Sequence, residues 1–175
     1  MLTRKRTIRF SDLSLDGHEV EAALDPSIIL PDWSDKDRIE LLQRPLFGFA
    51  SYGRVRFHHR SASEFLAAKR LRRLSADGRM PRTALFRLLF GECYGRDLVF
   101  PSMRPVAAWL AITDDAVRDE MVRREPEALM DDGDPESFST SARSRILAAY
   151  VERYGGDGWR GVRIPYPQVL RFASS

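Results

Sequence analysis

Basic side chains are concentrated in residues 54–60, which read RVRFHHR. In an extended strand, Arg54, Arg56 and His58 share one face, and Arg60 continues the same edge. Guanidinium and imidazole groups of this kind contact phosphate oxygens. The segment therefore predicts contacts with a partner domain or, less favoured, with nucleic acid.

His59 lies on the opposite face of the same predicted strand, directly before a helix start. Ser61 and Glu64 have the spacing of a capping box, in which each side chain accepts a hydrogen bond from the other residue's amide. A histidine just before a capped helix can donate to an anion. The alternative is that His59 packs on the inner face beside Val55 and Phe57.

The sequence offers few residues for metal binding or nucleophilic catalysis. Adjacent strand histidines point to opposite faces, so His58 and His59 are not expected to share a metal. Cys93 is the only cysteine, which excludes an internal disulfide and a cysteine-built metal site. Nothing places a histidine near Cys93 to activate it. A lone cysteine also favours a reducing, cytoplasmic location.

Motifs for phosphate-cradling loops, dinucleotide binding and serine hydrolases are absent from the sequence. We therefore expect a protein that is not an enzyme and that holds no cofactor or metal of its own. No apolar run approaches the ~20 residues that span a bilayer, so we expect no membrane segment.

The formal net charge is +3, but the charge is unevenly distributed. Residues 54–90 contain ten arginines and lysines against two acids, whereas residues 114–136 contain ten acids against three arginines. The high pI of about 9.3 therefore conceals two opposed segments. We expect the acidic segment to form a solvated face or an acidic docking surface.

The first half of the chain predicts a few short elements. Residues 7–10 predict an edge strand, and Ser34 is a suitable N-cap for a helix over residues 35–42. A β-hairpin follows, with arms at residues 46–49 and 54–59 and a turn at residues 50–53. The capping box then begins a helix that ends near Leu74.

From Arg82 onward the patterns predict only helices. They are expected at residues 82–90, from Pro105 with Ser102 as cap, and at 114–124 with Thr113 as cap. Two more are expected, one from Ser139 or Thr140 to Tyr154 with Gly155-Gly156 as the end, and one at 165–172. The predicted class is mainly α. A winged-helix-like domain with a short hairpin wing covers residues 1–78, and α-solenoid-like (HEAT-like) helix pairs cover residues 79–175.

Residues 56–68, RFHHRSASEFLAA, resemble the F-x-H-[KR]-S-x-x-E-[FY]-x-A-A stretch of NACHT-type STAND NTPases. In that family the stretch joins a winged-helix domain to superhelical repeats. Residues 101–111, 124–127 and 133–135 resemble the helical region that follows in bacterial members.

The resemblance implies a non-catalytic regulatory module of a signalling switch, with a role in antiphage defence. His59 matches the family histidine that contacts the phosphate of ADP and holds the closed state. Because the Walker motifs are absent, ATP, ADP and Mg²⁺ are expected only through a missing NTPase domain, in cis or in trans, and the chain is expected to be a piece of a larger protein. The helical surface would bind a protein ligand of unknown identity.

The alternative is a winged-helix DNA-binding transcriptional regulator with a helical dimerisation domain. In that case Arg54, Arg56, His58 and Arg60 would contact phosphates. The candidate recognition helix, residues 35–40, carries three acids and two bases. Because acids repel the nucleic-acid backbone, the sequence disfavours nucleic-acid binding.

Overall fold

The computed structural model describes residues 7–10, 23–50, 53–155, 169–170 and 172–173. The described chain is mainly helical with short strands, as the predicted class requires. It divides into two compact units, Met1–Ser63 and Glu64–Ser175. This division falls 15 residues before the predicted domain boundary, so most of the helix that begins at Arg60 belongs to the second unit.

In its described residues, the first unit contains a small sheet and two helices. Its elements are β1 (Thr7–Arg9), β2 (Ala23–Leu24), α1 (Pro26–Ile29), α2 (Asp35–Leu42), β3 (Phe47–Ala50) and β4 (Arg54–Phe57). The strand order is β2-β1-β4-β3. Strand β1 pairs in parallel with β2, and the other two pairings are antiparallel.

The predicted hairpin is confirmed as β3 and β4, with Phe47 opposite Phe57 and Ala50 opposite Arg54. Two details differ. Strand β4 ends at Phe57, before the two histidines. Strand β1 is not an edge strand, because β2, from a part of the chain that carried no strand pattern, pairs along its outer side. Residues 51–52 of the predicted turn lie outside the described residues.

Helix α2 begins as the sequence predicts. Ser34 adopts an extended backbone conformation, and its hydroxyl accepts a hydrogen bond from the Asp37 amide at 3.2 Å. The buried apolar residues described in this unit are few, namely Val55, Leu42 and Ala23. Among the described residues of the first unit the core is therefore thin, and Val55 of β4 is the most deeply buried of them.

The second unit is mostly helical. Its elements are α3 (Arg60–Ala76, which begins four residues before the division), α4 (Arg82–Leu89), β5 (Phe90–Cys93), β6 (Arg96–Val99), α5 (Arg104–Ala111), α6 (Asp115–Arg124), α7 (Ala128–Asp131), a 3-10 turn (Pro135–Ser137) and α8 (Thr140–Tyr154). None of the helices in the described ranges is long and apolar enough to span a bilayer.

A β-hairpin lies between the first two predicted helices of this segment, where no strand was expected. Strands β5 and β6 are antiparallel, with Phe90 opposite Val99 and Cys93 opposite Arg96. Tyr94 and Gly95 form the two-residue turn, at φ angles of 52° and 72°. Positive φ at both positions is the geometry that closes a tight hairpin. The prediction of helix alone was therefore wrong for residues 90–99.

Local capping signals were partly correct. Ser139 caps α8, as predicted, by accepting from the Ala142 amide at 3.3 Å. Helix α6 is capped by the Asp114 carboxylate instead of Thr113. Helix α5 begins after Met103, so Ser102 does not cap it. Helix α3 begins at Arg60, which places Ser61 within its first turn and not at the predicted cap position. The predicted last helix falls mostly outside the described residues.

Helix α5 is the centre of the second core. All of its residues except Arg104 and Trp109 are buried, because Pro105, Val106 and three alanines allow neighbouring elements to approach closely. Apolar side chains from every other α-helix of the unit and from the hairpin complete this core: Ala68, Leu71, Leu85, Leu89, Phe90, Val99, Val117, Met121, Leu129, Ile146 and Tyr150.

Gly133 allows the chain after α7 to pass against the backbone of α5. Its φ is +75°, and a Cβ there would lie 3.1 Å from both Ala108 C and Trp109 N. Gly78 has a similar φ of +69°, but a Cβ there would meet nothing within 4 Å. Substitutions at the two glycines can therefore be compared to separate two energetic costs, that of a left-handed side-chain residue and that of close packing.

We predict that Gly78→Ala lowers the free energy of unfolding by about 1–2 kcal/mol, the cost of a left-handed alanine. Gly133→Ala should lower it by about 1 kcal/mol more, because α5 is buried and its backbone cannot yield. Urea denaturation of both variants, followed by circular dichroism, measures the difference. Equal losses for the two variants would contradict the close approach.

Candidate functional site

The basic residues predicted on one strand face lie at the junction between β4 and α3. Arg54 is half-buried within β4, whereas Arg56, His58, His59 and Arg60 are exposed. The strand ends at Phe57, and a bend at the two histidines leads into the helix at Arg60. The structure therefore places four of these five side chains at the surface, but not as one regular strand face.

His58 and His59 lie together and not on opposite faces. Their rings are 4.8 Å apart between centroids and nearly perpendicular, at 87°. The prediction of opposite faces assumed a continuous strand, and the bend removes that alternation. The alternative that His59 packs inside beside Val55 is also wrong, because His59 is exposed. Within the described part of the chain, no group of three or more metal-ligating side chains is present.

The start of α3 adds a favourable field for anions at this junction. The helix is 17 residues long, and its N-terminal amides carry the positive end of the helix dipole. Exposed Arg60 is its first residue, and exposed His59 directly precedes it. An anion near these side chains would meet both their N–H donors and the helix N-terminus.

Helix α2, the candidate recognition helix, uses its arginines within the fold. Arg38 is largely buried and donates to the Leu30 and Pro31 carbonyl oxygens at 3.0 and 3.2 Å, and it pairs with Asp35 at 2.7 Å. Arg44, just beyond the helix, forms an ion pair with Glu40. The largely buried Arg38 guanidinium is therefore little available to a phosphate backbone, whereas Arg44 is 63% exposed and its pair with Glu40 lies at the surface.

The second unit contains a cavity of about 630 Å³ that the sequence did not predict. The β5–β6 hairpin, the start of α5 and the ends of α6 and α8 form its walls. Five arginines line it, Arg96, Arg104, Arg123, Arg124 and Arg153, together with three acids, Asp97, Glu125 and Glu127. The exposed Cys93 also lines the cavity, and none of the described lining residues is a histidine.

Arg124 joins the hairpin to α6. Its Nη1 donates to the carbonyl oxygens of Gly91 and Leu98, at 2.6 and 3.1 Å, which face each other across the two strands. Its Nε donates to Glu120 at 2.6 Å, and its guanidinium lies 5.3 Å from the centroid of the Phe90 ring. One largely buried guanidinium therefore contacts both strands and its own helix.

Neighbouring ion pairs also fix Arg123. Arg123 bridges Glu120 at 2.7 Å and Asp97 at 2.5 Å. These bonds raise the pKa of Arg123, and hydrogen bonds from Arg123 and Arg124 lower the pKa of Glu120. Arg123 and Glu120 are therefore both charged at neutral pH.

Two glutamates after α6 connect the hairpin, α5 and α8. Glu125 accepts from the Val99 amide at 3.0 Å and pairs with Arg104. Glu127 accepts from the Tyr154 hydroxyl at 2.7 Å. Burial, together with Glu127, raises the pKa of Tyr154 to about 12, so this tyrosine remains protonated and keeps donating.

In the described chain, at least five of the ten acids of the acidic segment form ion pairs with arginines, and the expected solvated face or acidic docking surface stays a prediction. Asp114 pairs with Arg82 of the basic segment at 2.5 Å, and burial opposes but does not overcome the bonds that lower its pKa. Further acids of the segment, Asp115, Asp119, Glu120 and Glu125, also form ion pairs with arginines. The count of charged residues along the sequence could not show these ion pairs, because most of them join residues that are distant in the sequence.

The chain matches no protein-family model, no curated protein and no solved structure at a significant level.

We predict that Arg124→Lys lowers the free energy of unfolding by about 2–3 kcal/mol, because one ammonium cannot serve both carbonyls and Glu120. Arg123→Lys is the matched control. Arg123 is 54% exposed, so its loss should cost about 1 kcal/mol or less. Chemical denaturation of both variants tests this difference, and an Arg124 variant as stable as the Arg123 variant would contradict it.

Proposed function

We propose that this chain is a non-catalytic regulatory module that docks on a NACHT-type NTPase domain, in cis or in trans. In this proposal the first unit is a winged-helix-like module and the second a short series of HEAT-like helix pairs. The module couples the nucleotide state of the NTPase to a protein ligand on the helical surface, in a signalling role such as antiphage defence.

The observation that carries this proposal is the exposed group at the start of α3. His59 is exposed, directly precedes a 17-residue helix and lies beside His58 and Arg60. It is also the position that matches the phosphate-contacting histidine in the resemblance to NACHT-type proteins. An exposed imidazole with a helix N-terminus behind it is suited to bind the phosphate of an ADP held by another domain.

The course of α3 supports the coupling part of the proposal. The helix begins at Arg60 in the first unit, and all of its residues from Glu64 onward belong to the second unit. Ala68 and Leu71 are part of the second core. A displacement of the helix start on loss of nucleotide would therefore act on a helix whose later turns are packed in the helical unit.

DNA binding by a winged helix is the alternative, and helix α2 argues against it. A recognition helix needs free donors for base edges and phosphates. Arg38 and Arg44 are engaged in contacts within the first unit. Acidic side chains at positions 35, 37 and 40 would also face the phosphates. The basic residues of β4 and its following bend alone make a poor DNA-binding surface.

We predict that the full chain shows no salt-sensitive binding to duplex DNA, with a Kd weaker than about 100 µM at 150 mM salt. Fluorescence anisotropy at 50 and 200 mM salt measures this. The DNA-binding alternative would be favoured instead if the chain bound duplex DNA tightly. That binding would have to weaken with salt and be lost on Arg54→Ala and Arg56→Ala substitution.

We predict that His59→Ala accelerates ADP release from the assembled NTPase by about tenfold or more, which is the loss of one charge-assisted hydrogen bond. The measurement follows a fluorescent ADP analogue after the chain is joined to the NTPase domain with which it co-purifies. His58→Ala is the matched control, since the neighbouring exposed imidazole does not match the phosphate-contacting position. Unchanged release from the His59 variant, with the thermal unfolding midpoint preserved, would reject the role of His59.

A further inference from the structure

The cavity of the second unit has the size and chemistry of a small-molecule site. Its volume of about 630 Å³ lies within the range of ligand pockets. Its walls come from four different elements, and the ion pairs of Arg123 and Arg124 fix the wall formed by the hairpin and α6. A site with walls of this kind is pre-organised, so a ligand would lose little affinity to ordering the protein.

Two of the lining arginines lack the carboxylate partners that the other three have. Arg104, Arg123 and Arg124 each pair with an acid. For Arg96 and Arg153, the described residues provide no carboxylate within ion-pair distance. Arg153 makes one contact to a carbonyl, that of Arg123 at 3.3 Å, and lies over the Tyr154 ring. Both guanidiniums therefore keep donors that suit a phosphate or carboxylate.

Glu127 also lines the cavity, but its carboxylate is engaged within the fold: its Oε1 accepts from the Tyr154 hydroxyl, and its Oε2 is buried. The proposal therefore rests on Arg96 and Arg153, the two lining arginines without a carboxylate partner among the described residues.

We propose that this cavity binds a small anionic ligand. Arg96 and Arg153 hold its phosphate or carboxylate group. The inference goes beyond the proposed function, because it concerns only side chains between Cys93 and Tyr154 and needs no NTPase domain.

Occupancy of the cavity can be measured directly through Cys93. It is the only cysteine of the chain, it is exposed, and it lines the cavity. The rate at which its thiol reacts with a disulfide reagent therefore reports occupancy at one position. The full chain is tested with inorganic phosphate, adenosine monophosphate and glutamate, each against potassium chloride at equal ionic strength.

The expected result is saturable protection of Cys93, with a reaction rate reduced about fivefold or more by at least one of these anions. Protection by phosphate or by adenosine monophosphate identifies a phosphate site, and protection by glutamate alone identifies a carboxylate site. Protection that is absent, or that follows ionic strength alone, would overturn the proposal.

In the double variant Arg96→Gln and Arg153→Gln, the anion concentration needed for half-maximal protection of Cys93 should rise at least tenfold. Arg145→Gln is the matched control, because Arg145 also lies on α8 but pairs with Asp119 outside the cavity. Circular dichroism confirms that each variant is folded. Equal protection in the double variant and the control would reject the assigned residues, and none of these outcomes bears on ADP release by the His59 variant.

Discussion

The contact between Arg124 and the β5–β6 hairpin organises the second unit. A two-stranded hairpin of four residues per strand is marginal by itself. Arg124 supplies donors to a carbonyl on each strand, and the next residue, Glu125, accepts from the Val99 amide on the second strand. These adjacent side chains at the end of α6 therefore hold both strands. Because Glu125 also pairs with Arg104, the same junction connects the hairpin to the central helix α5.

The contact between Arg124 and the β5–β6 hairpin also explains which parts of the fold could be predicted from the sequence. The caps at Ser34 and Ser139 and the β3–β4 hairpin depend on residues a few positions apart, and they were predicted correctly. The second hairpin was missed because its turn places a tyrosine, Tyr94, at positive φ, where glycine or asparagine is the usual signal. Its stabilising partner is a side chain 26–33 residues downstream, which no local pattern identifies.

The two candidate sites, at His59 and at the cavity, also differ in how far the sequence predicts them. The exposed basic residues around His59 follow from their spacing, and only the end of the strand at Phe57 changed their arrangement. The cavity requires Arg96, Arg104, Arg124 and Arg153 to converge from separate elements. In the sequence these arginines belong to segments that look like ordinary charged helix faces. Their convergence is a property of tertiary packing, and the only local hint is the run Arg-Arg-Glu-Pro-Glu at the end of α6.

The distribution of unpaired charge in the folded chain differs from the distribution of charged residues along the sequence. Ion pairs such as Arg82–Asp114 engage several acids of the acidic segment. Within the cavity, the arginines without a carboxylate partner then become informative, because their guanidiniums keep donors that the described fold does not pair with an acid. Arginine suits this division of roles, since its planar fork of five N–H donors can serve carbonyl and carboxylate groups at once. Arg124 uses that capacity for structure, whereas Arg96 and Arg153 retain it at the same cavity for a ligand.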